Sequence, residues 1–196
     1  RGDLGQELIE GQRFSSIPFF VRHPDGSRGM VRRCCTEDFK INPVRRKVRQ
    51  IIGRTPGQVV FQWLGITTDE IQRMKPSKKG DWQRRTYPLI RMRWSRMDCI
   101  NYLAEHGFDD VPKSSCVFCP FHNHAEWRRV KQNEKDWRRA VEVDEAIRKC
   151  HETGRGGLKN PAYLHGSLTP LETAVNEDQL DMFDRWDNEC EGVCGV

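Results

Sequence analysis

The sequence predicts an α/β protein with a helix-rich C-terminal half and a sheet that is incomplete by itself. Three observations carry this. The apolar run Val59-Val60-Phe61-Gln62-Trp63-Leu64-Gly65-Ile66 is rich in β-branched and aromatic residues and ends in Gly, as a buried strand does. Ile41, Val44, Val48, Ile51 and Ile52 recur at helical spacing, and Gly53 supplies a C-terminal stop. From 124 to 152 the helical period returns, with Trp137, Ala140, Val141, Asp144 and Ile147 on one face. One core strand cannot stand alone. The chain therefore either supplies further strands elsewhere or belongs to a larger sheet.

The remaining elements follow in order. Leu4, Leu8 and Ile9 give residues 1–13 a weak helical pattern. Residues 17–32 read as a hairpin around Pro24-Asp25-Gly26, where Pro fixes φ and Gly accepts a positive φ. Residues 74–87 are basic and carry Pro and Gly, which predicts a loop. Ser95 with Asp98 resembles a capping box opening the helix SRMDCINYLAEH, closed by Gly107. Residues 109–122 read as a loop, and Asn123 with Glu126 as the next helix start. Residues 154–170 read as irregular.

Of the 196 residues, 33 are Lys or Arg and 28 Asp or Glu, a formal +5. That charge does not demand nucleic acid and is compatible with any anionic ligand, a nucleotide included. The apolar share is 36%, low for a globular chain, yet nine Phe and six Trp leave enough to bury a modest core, so disorder throughout is excluded. No stretch approaches the ~18 apolar residues of a membrane span. The opening RGDLGQELIEGQ is neither a signal nor a transit peptide, and a cytoplasmic location with no membrane partner is expected. The chain opens without Met, as a processed form or a fragment would.

Eight cysteines in a reducing compartment point to metal binding or sulfur chemistry rather than disulfides. Cys99 lies within an amphipathic helix, where core packing accounts for it. Cys150 sits at the end of a later helix and reads as an inert or surface thiol. Cys34-Cys35 and Cys116-x-x-Cys119 lie in or beside turns, where side chains can converge. A zinc ribbon would want two Cys-x-x-Cys knuckles ~15–20 residues apart. Here one partner is an adjacent Cys-Cys, and 80 residues separate Cys35 from Cys116. Adjacent cysteines diverge, so they suit two irons of one cluster, or one ligates while the other stays free. Soft thiolates suit zinc and iron–sulfur clusters alike. Cys190-x-x-x-Cys194 on the Gly-rich tail could complete a cluster, act as a mobile thiol pair, or do nothing.

The pattern Cys34-Cys35-Thr-Glu-Asp-Phe-Lys40-Ile-Asn-Pro43, followed by Cys116-Val-Phe-Cys119-Pro120, resembles the phosphoadenosine phosphosulfate and adenosine phosphosulfate reductase family. Iron–sulfur members carry a Cys-Cys, about 80 residues, then a Cys-x-x-Cys, with a Lys and a Pro shortly after the first pair. The helix SRMDCINYLAEHGF resembles the one they place before the second pair. The likeness covers about residues 13–130 and, more loosely, the tail NECEGVCGV. It implies the adenine-nucleotide α-hydrolase superfamily and its parallel sheet. Residues 1–123 would be the C-terminal part of such an α/β domain, and 124–196 a helical extension with a Cys-containing tail.

The resemblance further implies a 4Fe-4S cluster on Cys34, Cys35, Cys116 and Cys119, an adenine nucleotide or sulfated small molecule as substrate, and a thiol electron donor. In these reductases a thiolate attacks the nucleotide's sulfate, and Cys190 or Cys194 corresponds loosely to their catalytic tail cysteine. Related cluster enzymes of the superfamily transfer sulfur, which makes tRNA a candidate partner. Arg32, Arg33 and Lys40 flank the first cysteine pair and are the expected anion contacts. The family's Ser-Gly-Gly-x-Asp-Ser phosphate loop does not occur in this chain, so about the first third of the parent protein is expected to lie outside it.

Other features are weaker. His122 and His124 sit close to Cys119, within reach of a ligand or outer-shell role. His106 closes a helix, where a cation is favoured, while His151 and His165 carry no argument. Trp127-Arg-Arg and Trp137-Arg-Arg invite a stacking-plus-charge reading for RNA. Ten residues apart, the two rings lie about 80° from a common helix face, which favours core packing. The first expectation is thus an iron–sulfur oxidoreductase or sulfurtransferase. Its rival is a zinc-stabilised binding module, for nucleic acid, without catalysis. A degenerate relative stapled by its cysteines is the third.

Overall fold

The computed structural model describes residues 3–10, 17–31, 34–53, 56–109, 111 and 115–175. The chain is mixed α/β, and it divides into two compact units. One, the split unit, joins the described residues up to Phe39 with those from Ser115 onward; the other, the central unit, runs from Lys40 to Val111.

The split unit contains α1 (Leu4–Glu10), β1 (Phe20–Arg22), β2 (Arg28–Met30), α5 (His124–Gln132), α6 (Glu134–Lys149), β5 (Ala162–Tyr163) and α7 (Leu171–Ala174). The predicted hairpin forms as β1 and β2. His23 N–H donates to Ser27 O and Gly26 N–H to His23 O, with Gly26 at φ 83°. The Asp25 carboxylate accepts from both the amide and the hydroxyl of Ser27, closing the turn. β5 adds to the free edge of β1, antiparallel, with Phe20 opposite Tyr163. The stretch expected to be irregular from 154 to 170 thus supplies a strand. It is only two residues long, too short for a periodic signal.

Asn123 forms the predicted capping box with Glu126 and opens α5, and Asn133 accepts from Asp136 N–H to open α6. α6 packs against α1, α5, β5 and α7, so it is the axis of this unit. Its inward face carries Ala140, Val143, Asp144 and Ile147, all buried, against Leu8, Phe19, Trp127 and Leu164. Asp144 is the one charge among them. Its carboxylate accepts from Leu164 N–H (2.9 Å) and Leu171 N–H (3.1 Å) and faces Arg148 at 3.5 Å. One side chain thereby ties the strand after α6 to the start of α7.

The central unit contains α2 (Asn42–Ile52), β3 (Val60–Trp63), β4 (Gln83–Thr86), α3 (Pro88–Arg91) and α4 (Arg96–Glu105). A π-helical turn, Glu37–Ile41, leads into α2, which Gly53 (φ 71°) ends as expected. The Ser95–Asp98 capping box opens α4, and Gly107 (φ 80°) follows it. Two expectations are corrected here. The loop predicted over 74–87 contains β4, which pairs parallel to β3 through the register Phe61 opposite Arg84. The run 59–66 is not a fully buried strand either: β3 alternates, with Phe61 63% and Trp63 77% exposed, and only Ile66 and Thr67 are buried beyond it. Two strands, rather than one, remain far short of the sheet a parallel arrangement normally needs.

Candidate metal and sulfur centre

All four cysteines singled out by spacing fall in the split unit. Cys34 precedes the turn at Glu37, and its carbonyl accepts from Asp38 N–H at 3.0 Å. Cys35 is half-buried and packs on the unit's apolar core. The second pair is shaped by local backbone. Cys119 N–H donates to Cys116 O (2.9 Å), a β-turn that folds the two intervening residues back. His122 N–H donates in turn to Cys119 O (3.1 Å). Phe118 anchors the turn in the core and Val117 packs against it, while Cys116 is exposed and Cys119 half-buried. The turn therefore holds its cysteines at the rim of a buried apolar floor.

Among the described residues, no three His, Cys, Asp or Glu side chains are grouped to hold a metal ion. The cysteines form two pairs on one unit. The donor set nevertheless fits a soft metal: four cysteine sulfurs, with Cys34 and Cys116 exposed. A second feature also fits. The Trp127 indole N–H is fully buried and has no hydrogen-bond partner among the described residues. Its ring lies edge-on to His122 at 4.7 Å, three residues past Cys119. A buried indole N–H on the helix that follows the cysteine turn is of the donor type that the outer shell of a metal site uses.

The other two described cysteines are set apart by chemistry. Burial, with Asp98 and Asp69 nearby, pushes the Cys99 thiol up, against thiolate formation. Cys150, expected to be inert or on the surface, is buried: its thiol donates to Ala146 O at 3.3 Å, and burial raises its pKa. Cys99 lies in the central unit, away from both pairs in the chain, and the Cys150 thiol is spent on a backbone carbonyl.

Of the anion contacts, Lys40 is exposed at the end of the π-helical turn. Arg32 and Arg33 lie outside the described residues, as do Cys190 and Cys194. His122 is buried, its Nε2 3.0 Å from Ser115 Oγ. His124 meets His165 edge-on at 5.0 Å, and His165 Nδ1 bonds Ser167 Oγ at 2.7 Å. Sequence reasoning attached nothing to His165, and no spacing signal could have found it, because 40 residues separate the two rings along the chain. His106 closes α4 with Nδ1 2.7 Å from Tyr102 O, the end-of-helix role expected of it. Trp127 is fully buried and Trp137 packs partly against the core, so neither ring is open for base stacking. Among the described residues no helix is long and apolar enough to cross a membrane. Comparison with known proteins returns no match among family models, curated proteins or solved structures.

Proposed function

We propose that the chain is the cysteine-bearing part of an iron–sulfur protein of the phosphosulfate-reductase kind, with an adenine-nucleotide α-hydrolase-like domain. It acts reductively, or as a sulfurtransferase, on an adenylylated or sulfated substrate. One observation carries this reading: two cysteine pairs 80 residues apart in sequence belong to a single compact unit, while Cys99 falls in the other unit and Cys150 is buried with its thiol bonded to Ala146 O.

Cys34, Cys35, Cys116 and Cys119 would hold the 4Fe-4S cluster. When bound, the cluster supplies redox-active iron and a field next to the substrate's sulfur. The chain's own residues do the rest. Lys40, with Arg32 and Arg33, supplies positive charge for sulfate or phosphate oxygens. Val117 and Phe118 exclude water beneath the turn, which strengthens each charge contact above it. A tail thiolate, Cys190 or Cys194, is the proposed nucleophile: its bond to the sulfate sulfur would form as the bond from that sulfur to the nucleotide's phosphate oxygen breaks and the nucleotide leaves, and an external dithiol would then release sulfite and be oxidised to a disulfide.

Serine substitution tests the assignment. Cys116→Ser or Cys119→Ser should abolish iron binding and lower thermal stability, whereas Cys99→Ser and Cys150→Ser should retain full iron content. Equal losses across all four variants would show that the sorting of the cysteines is wrong.

A further inference from the structure

The central unit carries a feature that sulfur chemistry does not use. Residues 40–114 hold 16 Lys or Arg against 7 Asp or Glu, a net +9, while the rest of the chain sums to −4. Opposed residues of a parallel ladder share a face, so the register places Phe61 beside Arg84 and Trp63 beside Thr86. Phe61, Trp63 and Arg84 are all exposed on that face. Phe61 and Trp63, two residues apart on one strand, stand roughly 6.6 Å apart along it. The neighbouring Trp82 makes a contrast. Arg49 lies 4.0 Å and Arg45 5.5 Å from its ring centre, so that ring is already stacked by guanidinium. The crossover between the strands adds exposed Lys75, Lys78 and Lys79.

We propose that the β3–β4 face, with Phe61 and Trp63 as its stacking rings and Arg84 at its edge, is a platform for single-stranded nucleic acid. Exposed aromatics on a sheet stack unpaired bases, and surrounding Lys and Arg track the phosphates. The charge decides the occupant. Paired face to face, a second copy would bring another +9 against this unit, whereas a polyanion is drawn to it. A duplex hides the faces of its bases, so single strands are preferred.

The test is fluorescence anisotropy of the full chain with a labelled 12-nucleotide single-stranded RNA, the same sequence in DNA, and the matching duplex. The proposal expects single strands to bind more tightly than duplex. Affinity should fall with salt at a log–log slope of about −2 or steeper, for roughly three phosphates engaged. Phe61→Ala and Trp63→Ala should each weaken binding roughly fivefold or more. Arg84→Gln should weaken it and flatten the slope, and Arg138→Gln, at an exposed position of α6 in the other unit, should change nothing. The side chains changed are exposed, so folding is preserved, and circular dichroism checks it. No binding at 100-fold excess of protein over probe, or unchanged affinity in both aromatic variants, overturns the proposal. So does a dimer that Trp63→Ala dissociates, since it assigns the face to self-association.

Discussion

Asp144 combines a buried carboxylate with two backbone partners in segments far along the chain. Burial pushes its pKa above the ordinary 3.8, against the pull of the Leu164 and Leu171 amides and of Arg148. The folded state therefore favours the protonated form. The stability this group contributes is fully present below the ordinary value and is lost as pH rises through the folded pKa. Asp144→Ala strands two buried N–H groups and should cost about 2–5 kcal/mol in urea unfolding. Asp144→Asn keeps one acceptor and removes the titration, so the decline in stability that this carboxyl imposes as pH rises above its ordinary value should disappear. Its place on the inward helical face was legible from periodicity. Its partners were not, because they lie 20 and 27 residues away in segments without any periodic pattern.

At the level of elements, local signals were legible and distant ones were not. Both capping boxes and the Pro24-Asp25-Gly26 turn depend on residues within three positions, and each forms as read. α1 is different. The Arg155 guanidinium donates to the carbonyls of Glu7, Leu8 and Ile9, capping the C-terminal end of α1 from almost 150 residues away. At the other end Arg139 pairs with Asp3 at 2.8 Å, and Gly5 leaves room for that guanidinium: a Cβ there would sit 2.8 Å from it. A seven-residue helix is too short to persist without such anchors. Arg155→Ala should release it, with faster amide exchange confined to residues 4–10 and a loss of about 1.5–3 kcal/mol. Arg155→Lys should restore little, since one ammonium cannot replace the guanidinium fork. β4 escaped prediction for a related reason. Gln83, Arg84, Arg85 and Thr86 carry no apolar alternation, and the strand is held by backbone pairing to β3.

For the whole molecule, the sequential order conceals the organisation. Residues 17–31 and 115–175 are far apart in the chain yet share one core, built around α6, and the intervening residues form a unit of their own. The need for a larger sheet was legible from the isolated strand, and a two-stranded parallel ladder does not meet it. Both cysteine pairs fall in the split unit, and their spacing alone did not reveal it, because packing between segments 80 residues apart leaves no periodic trace. What these cysteines hold decides the chemistry of the chain. The most direct measurement is metal and acid-labile sulfide per chain after anaerobic purification and reconstitution. The account predicts a brown protein with about four irons and four sulfides, lost together in Cys116→Ser. A colourless protein with one zinc per chain and no labile sulfide would contradict it.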